Sequence, residues 1–391
     1  MLVYTLSVHF DEKLDVTILL PCLNESETIA NAISKAMIFL ESSNFTGEIL
    51  VADNGSIDGS QVIAKESGAR VIDVPIKGYG AALQAGIKAS NSTWVVMGDS
   101  DSSYALDKLE LFISSLESGY DLVIGNRFKG GIHPGAMPWL HKYLGNPLLS
   151  FLGRKFFKVP IYDFHCGLRA FNLVSISKLN LRTTGMEFAS EMIIKAALHN
   201  LKICEVPTTL SPDGRSRKPH LRTWSDGWRH LVFILLASPK WLFFYPGLVL
   251  TLLSVFGIGV LLTGPRNFQN LEFSINSFLF LIGGALIGTQ VITFGILAKI
   301  FIVKEMLLPK SFLFLRFEKY FSLGKALLLG AILFILSVIG VITLLNDWTG
   351  KNFTSFDLNS SIRITGLVLL ALCLSVQVMF NSFFVELLRN K

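Results

Sequence analysis

Asp99 and Asp101 stand one residue apart at the end of the stretch Thr93 to Tyr104, TWVVMGDSDSSY. Two carboxylates placed in this way repel one another unless a positive charge lies between them. A divalent cation carrying a diphosphate supplies that charge, because hard oxygen ligands suit Mg2+ or Mn2+ and phosphate oxygens complete the coordination. The competing reading of a lone Asp-x-Asp is a solvated loop with helix-capping aspartates. The surroundings decide between the two. Trp94 to Met97 read as a strand buried in a sheet, and it runs into the acidic pair without a turn signal.

Three further polar clusters follow runs of the same kind. Asn24 and Glu25 come after the strand-like Val16 to Pro21, Asp53 and Asn54 after Glu48 to Ala52, and Lys77 and Gly78 after Arg70 to Val74. Helical spacing separates these runs: Glu25 to Leu40 with Ile29, Ile33, Met37 and Leu40, a helix starting near Asp58, Ala81 to Ala89, and Leu106 to Leu116 before a strand over Leu122 to Gly125. Alternating strands and helices predict an α/β fold with a mostly parallel, doubly wound sheet, whose ligand sits at the carboxyl ends of the strands. All four clusters fall at such ends, so together they predict a nucleotide-diphosphate site. Glu187 and Glu191, four residues apart in MEFASEMIIKAA, read instead as a helix start with one solvated acid. His141 and His165 have no second histidine at metal spacing and read as surface or capping residues.

The composition divides the chain. Of 391 residues, 51% are hydrophobic, and the apolar excess is concentrated from Trp241 onward. Residues 1–219 read as the catalytic domain, 220–240 as an interfacial juxtamembrane helix with Trp224, Trp228, Arg222 and Arg229, and 241–391 as a membrane domain. Trp241 to Thr263, Asn276 to Val303, Leu323 to Leu345 and Ile362 to Leu388 are each long enough to cross about 30 Å of hydrocarbon at about 1.5 Å per residue. Lys304, Lys310, Arg316 and Lys319 follow the second run against two acids, which predicts a cytosolic catalytic domain in a plasma or endoplasmic reticulum membrane.

The net charge of +6 could suggest nucleic acid. Its basic residues, however, gather at Arg215, Arg217, Lys218, Arg222, Arg229 and Lys240, a cluster that suits anionic headgroups or a lipid phosphate better than a duplex. Cys22, Cys166, Cys204 and Cys373 show no paired spacing and read as reduced packing residues. The opening MLVYTLSV is followed by Asp11 and Glu12 and is not read as a signal peptide.

PCLNESETI, VADNGSIDGS, KGYGAAL and GDSD, in this order, resemble the family-two glycosyltransferases of GT-A fold, and among them the polyprenyl-phosphate (dolichol-phosphate) mannosyl- and glucosyltransferases. The resemblance covers residues 16 to about 230. It implies base and ribose contact from Pro21, Leu23, Glu25, Asp53 and Asn54, and metal and diphosphate contact from Asp99, Ser100 and Asp101. It implies phosphate contact from Arg127 in IGNRF and from Arg215 in the basic segment that continues through Arg217 and Lys218. DFHCGLRAF matches the family's acceptor segment through Asp163 and Gly167. Ser103 stands where relatives can place a glutamine, leaving water to complete the metal shell, while His141 and Cys166 replace an arginine and a serine.

A phosphate monoester acceptor, with a second pKa near ~6, is largely ionised at neutral pH and needs no strong general base. Arginine to align it and a metal to stabilise the departing nucleoside diphosphate are sufficient, and in-line attack inverts the anomeric centre. The expected activity is therefore transfer of one hexose from UDP-glucose or GDP-mannose to polyprenyl phosphate, with Mg2+ or Mn2+ as cofactor and with room for a homo-oligomer. A processive polysaccharide synthase is the alternative enzyme, although its Gln-x-x-Arg-Trp string does not occur. A non-catalytic lipid-binding or translocating protein would not require the Asp99 and Asp101 pair.

Overall fold

The computed structural model describes residues 14–216, 223–304, 309–350 and 358–390. The N-terminal apolar residues and Arg217, Lys218 and Arg222 lie outside the described residues. The chain forms two compact units, Met1–Ile234 and Leu235–Lys391. The division falls inside the segment 220–240 that sequence reasoning treated as a separate element.

The first unit is built on seven strands: β1 (Leu14–Cys22), β2 (Gly47–Asp53), β3 (Arg70–Asp73), β4 (Ser92–Met97), β5 (Leu122–Asn126), β6 (Arg169–Asn172) and β7 (Ile203–Pro207). Their order is β3-β2-β1-β4-β6-β5-β7. Val16, Ile18, Leu19, Leu20, Val51, Val95 and Val96 are wholly or almost wholly buried, as expected of parallel strands covered on both faces. In β4 Val95 to Met97, toward the acidic pair, are wholly buried; Thr93 and Trp94 are half-buried, and Ser92 at the far end is buried.

All neighbours are parallel except β6, which runs antiparallel between β4 and β5. This reversal was not foreseen, and it fixes which rim the loop before β6 reaches. Arg169 opens β6 opposite Met97 of β4 and Ile124 of β5, so the loop preceding β6 emerges on the same rim as Asp99 and Asn126.

The helices of this unit are α1 (Ile29–Ser42), α2 (Ser60–Glu66), α3 (Tyr79–Ala89), α4 (Glu110–Glu117), α5 (Arg127–Gly130), α6 (Asn146–Phe157), α7 (Leu173–Ser177), α8 (Phe188–Leu198) and α9 (Thr223–Leu236). The helix expected from Glu25 starts four residues later, because Asn24 takes a left-handed φ of 57° and residues 25–28 form a turn. α9 is the expected amphipathic helix. Asp226, His230 and Ile234 are buried, while Trp224 and Trp228 are 79% and 64% exposed. Its buried face packs within the first unit, where His230 bonds Ser190 of α8 at 2.9 Å.

The second unit holds α10 (Tyr245–Leu262), a hairpin of β8 (Arg266–Phe268) and β9 (Leu271–Phe273), α11 (Ile275–Lys304), α12 (Phe312–Tyr320), α13 (Leu323–Gly350) and α14 (Leu358–Asn390). Four stretches, Lys240–Leu262, Ile275–Lys304, Leu323–Gly350 and Ser361–Arg389, are long and apolar enough to cross a membrane. Glycines let α10 and α11 approach closely: a Cβ on Gly247 would meet the Gly288 carbonyl oxygen at 2.8 Å. The basic segment after the second span carries α12, and Lys310 pairs with Glu318 at 3.1 Å.

Candidate active site

The four clusters converge on one rim of the sheet. β1 and β2 lie in register from Val16 opposite Gly47 to Cys22 opposite Asp53, which sets Asn24 and Glu25 beside Asp53 and Asn54. Asp53 is buried. Its Oδ2 accepts from the amides of Gly55 and Ser56 at 3.0 Å and from Gln61 Nε2 at 2.6 Å, while its Oδ1 has no partner among the described residues. Burial alone would raise its pKa, but the hydrogen bonds from Ser56, Gln61 and Gly55 outweigh burial and hold it below the usual range. An ionised, buried acceptor with one free oxygen is suited to a nucleoside N–H or hydroxyl.

Asn54 ties β2 to the third cluster. Its Nδ2 donates to the carbonyls of Val74 and Ile76, its Oδ1 accepts from Gly78 N at 2.7 Å, and its own carbonyl accepts from Lys77 Nζ at 2.6 Å. Gly78 has φ 131°, and a Cβ there would collide with the Thr184 carbonyl. These bonds orient the start of α3, so that Tyr79 Oη donates to Asp99 Oδ1 at 3.0 Å. Pro21 and Leu23 flank the β1 end, and the Pro21 carbonyl accepts from Ser100 Oγ at 2.7 Å.

Asp99 and Asp101 occupy a tightly braced turn. Ser102 has φ 63°, a conformation that a non-glycine residue adopts only when neighbours enforce it. Its Oγ donates to the Thr28 carbonyl and accepts from Asn31 Nδ2, and Lys35 Nζ donates to its carbonyl at 3.2 Å. Gly167, on the loop before β6, leaves room for Asp99: a Cβ there would lie 2.5 Å from Oδ2. Burial and then the charge of Asp101 raise the Asp99 pKa to about 6. Among the described residues no cluster of three or more metal-ligating side chains occurs. Two neighbouring carboxylates with no third side-chain ligand grouped beside them among the described residues fit a hard divalent cation that arrives with phosphates.

The two arginines expected at phosphate are both held by acids. Arg127 Nε and Nη2 form a fork on Asp163, each at 2.7 Å, and both residues are buried. Only Nη1 lies outside that pair. Arg215 reaches the acidic pair at Asp101. Its Nε donates to Glu25 Oε2 at 2.9 Å, and its Nη2 lies 2.8 Å from Glu25 Oε1 and 3.2 Å from Asp101 Oδ2.

Other expectations change. Glu191 is buried rather than solvated; it pairs with Lys195 at 2.7 Å and accepts from the amides of Arg182 and Thr183. His165 is not a surface residue at its ring nitrogens, which are buried without partners among the described residues and lie in an edge contact with His230, centroids 4.4 Å apart. Sequence reasoning missed Tyr79, although the KGYG motif contained it, and the wholly buried Arg169. Arg169 donates to the carbonyls of Cys166, Ala189 and Phe164 at 2.7 to 2.9 Å and so shapes the loop carrying Asp163 and Gly167. The four cysteines are free.

A mostly parallel sheet with this acidic rim, joined to apolar helices, defines a membrane-bound glycosyltransferase of GT-A fold. The model of Glycosyl transferase family 2 matches residues 17–179, and that of the family 2 C-terminal transmembrane region matches residues 296–389. The chain is 36% identical over 294 residues to the low-salt glycan biosynthesis hexosyltransferase Agl6 of Haloferax volcanii, covering 74% of this chain and 70% of the relative. It is 28% identical over 194 residues to the dolichyl-phosphate hexose transferase of the same organism, covering 49% of this chain and 81% of the relative. Among solved structures, glucosyl-3-phosphoglycerate synthase from Mycobacterium tuberculosis superposes with a TM-score of 0.46 at 20% identity, covering 57% of this chain and 80% of that one. The protein belongs to glycosyltransferase family 2 and is an integral membrane protein.

Proposed function

We propose that the protein transfers a single hexose from a nucleotide sugar, UDP-glucose or GDP-mannose, to polyprenyl phosphate at the cytosolic membrane face, with inversion and with Mg2+ or Mn2+. The observation that carries this reading is the Asp99 and Asp101 pair at the end of β4 in a chain with four apolar spans of its own. The similarity to a relative named a dolichyl-phosphate hexose transferase supports the lipid substrate.

In this reading Asp53 and Glu25 hold the nucleoside, and Pro21, Leu23 and Asn54 shape its pocket. Gly78 brings the backbone close to the diphosphate, and Lys77 lies beside it. A divalent cation held by Asp99 and Asp101 supplies charge neutralisation for the departing nucleoside diphosphate. The acceptor phosphate is already anionic, so no proton must be removed from it. Arg215, and Arg127 through Nη1, align it; Arg217 and Lys218 add positive charge in the same stretch of sequence. Trp224 and Trp228 set the exposed face of α9 at the lipid headgroups.

The test is incubation of purified protein with radiolabelled nucleotide sugars, polyprenyl phosphate and Mn2+, followed by extraction into organic solvent. Label is expected in the lipid phase, dependent on polyprenyl phosphate and lost with chelator or in Asp101→Asn. Product that lengthens with time and needs no polyprenyl phosphate overturns the reading in favour of a processive synthase.

A further inference from the structure

Residues 208–216 cross the acidic rim as a strap. Leu210 bridges to Tyr104 and to Ile132, Ser211 N donates to the Ser103 carbonyl at 2.9 Å, and Gly214 N donates to the Asp101 carbonyl at 3.1 Å. Ser216 N donates to Glu27 Oε2 at 2.7 Å. The strap thereby delivers Arg215 into a ring of three acids, Glu25, Asp101 and Asp213, with the last at 3.6 Å from Nη1. The Arg215 side chain is 12% exposed and that of Glu25 4%, so these charges are screened little by solvent.

The contacts are unequal. Glu25 takes the planar fork, Nε and Nη2, in the bidentate geometry that carboxylates favour. Asp101 receives only an edge of Nη2, at 3.2 Å, and its other oxygen accepts from Ser103 N. A guanidinium hinged on Glu25 can therefore release Asp101 without losing its principal anchor.

We propose that Arg215 is a built-in counter-cation of the metal site: it competes with the divalent ion for Asp101, and loading of the ion swings Nη2 away from Asp101 while Nε stays on Glu25. This inference rests on the reading of Asp101 as a metal ligand. It adds a regulatory link that the ligand assignment does not contain. With Asp101 neutralised by Arg215, the strap is shut; with the ion on Asp101, the guanidinium is offered to a phosphate. The donor complex is thus loaded before the acceptor is held, and the linkage works in both directions, since whatever opens the strap strengthens ion binding by the same factor.

The test is direct titration of the full-length protein in detergent with Mn2+ alone, followed by electron paramagnetic resonance, for wild type, Arg215→Gln, Arg215→Lys and Asp101→Asn. Removing the guanidinium leaves Glu25, Asp101 and Asp213 uncompensated, so Arg215→Gln is expected to bind Mn2+ roughly tenfold more tightly, within the usual range of coupling between linked sites. Arg215→Lys, which keeps a charge but has no fork, is expected to fall between. In the wild type, where folding is not in question, Mn2+ is expected to speed amide exchange at Gly214 and Ser216. Unchanged or weaker Mn2+ binding in Arg215→Gln, with strap exchange unaltered by Mn2+ in the wild type, overturns the competition. If Asp101→Asn binds Mn2+ as the wild type does, the metal assignment itself fails and takes the inference with it, an outcome distinct from the first.

Discussion

Tyr79 Oη donates to Asp99 Oδ1 at 3.0 Å, joining the glycine-containing turn before α3 to the acidic rim of β4. Burial and Asp101 push the Asp99 pKa up to about 6, and this hydrogen bond opposes the rise. An Asp99 that must be ionised to hold a cation therefore depends on Tyr79. Tyr79→Phe is expected to weaken Mn2+ half-saturation about fivefold, the usual weight of one hydrogen bond. The acid limb of the Mn2+ dependence should also move to higher pH. A Mn2+ titration between pH 5.5 and 8 checks both, and an unmoved acid limb would show that Tyr79 does not support the ionised form.

Asp163 carries a different burden. It is wholly buried and holds the Arg127 fork as well as the Arg127 amide, at 3.1 Å. Asp163→Ala leaves a buried guanidinium without its counterion, for which about 3 to 5 kcal/mol of stability is expected to be lost. Denaturant unfolding of the full chain, followed by tryptophan fluorescence, measures this. A variant of unchanged stability would mean that Arg127 finds another partner and that Asp163 serves the chemistry alone.

The burial of His165 and His230 makes the first unit sensitive to acid. Burial pushes His230 down to about 4, with Asp226 opposing, and burial pushes His165 well below its ordinary value. Because the folded pKa of His230 lies below the free value, the folded state binds fewer protons in between. Stability is therefore complete above about pH 6.5 and falls as the pH drops toward 4, by at most roughly 3 kcal/mol from this residue. Thermal midpoints measured across that window are expected to fall less steeply in His230→Asn than in the wild type. Parallel curves would assign the acid sensitivity elsewhere.

The four spans predict sidedness. In a background lacking the four natural cysteines, cysteine reporters at Asn346 and Asn390 are expected to label from opposite faces of the membrane, since α14 crosses between them. Labelling from one face only would remove a span from the count.

β1, β2 and β4 and the four apolar helices were legible because burial on both sides, or in lipid, requires continuous apolar runs, whereas β3 is a half-buried edge strand, RVID. The rest was hidden for identifiable reasons. β6 is RAFN, four residues that begin with a cation, and its placement depends on Arg169 finding three backbone carbonyls, acceptors that no side-chain pattern records. Glu191 and Lys195 are spaced like an exposed helical pair, yet they turn inward because the amides of Arg182 and Thr183 need an acceptor. Arg215 reaches Glu25 across 190 residues, a distance over which charge counting offers no guide.

The reversed strand has one end on the acidic rim and the other on the far one. Arg169, opposite Met97, belongs to the rim that carries Asp99 and Asp101, whereas Asn172, at the other end of the same strand, faces Trp94 on the far rim. There the Asn172 side chain caps α7 through Ser175 N, and Ser175 Oγ donates to Asp121, so that turn is closed upon itself. Beyond α7 the chain returns to the acidic rim, where the Thr184 carbonyl accepts from Ala81 N and closes on Gly78. One added residue between Asp163 and Arg169 shifts Gly167 against Asp99. The fold therefore separates a far margin, where the chain turns upon itself, from one where the spacing of the chain is itself a constraint.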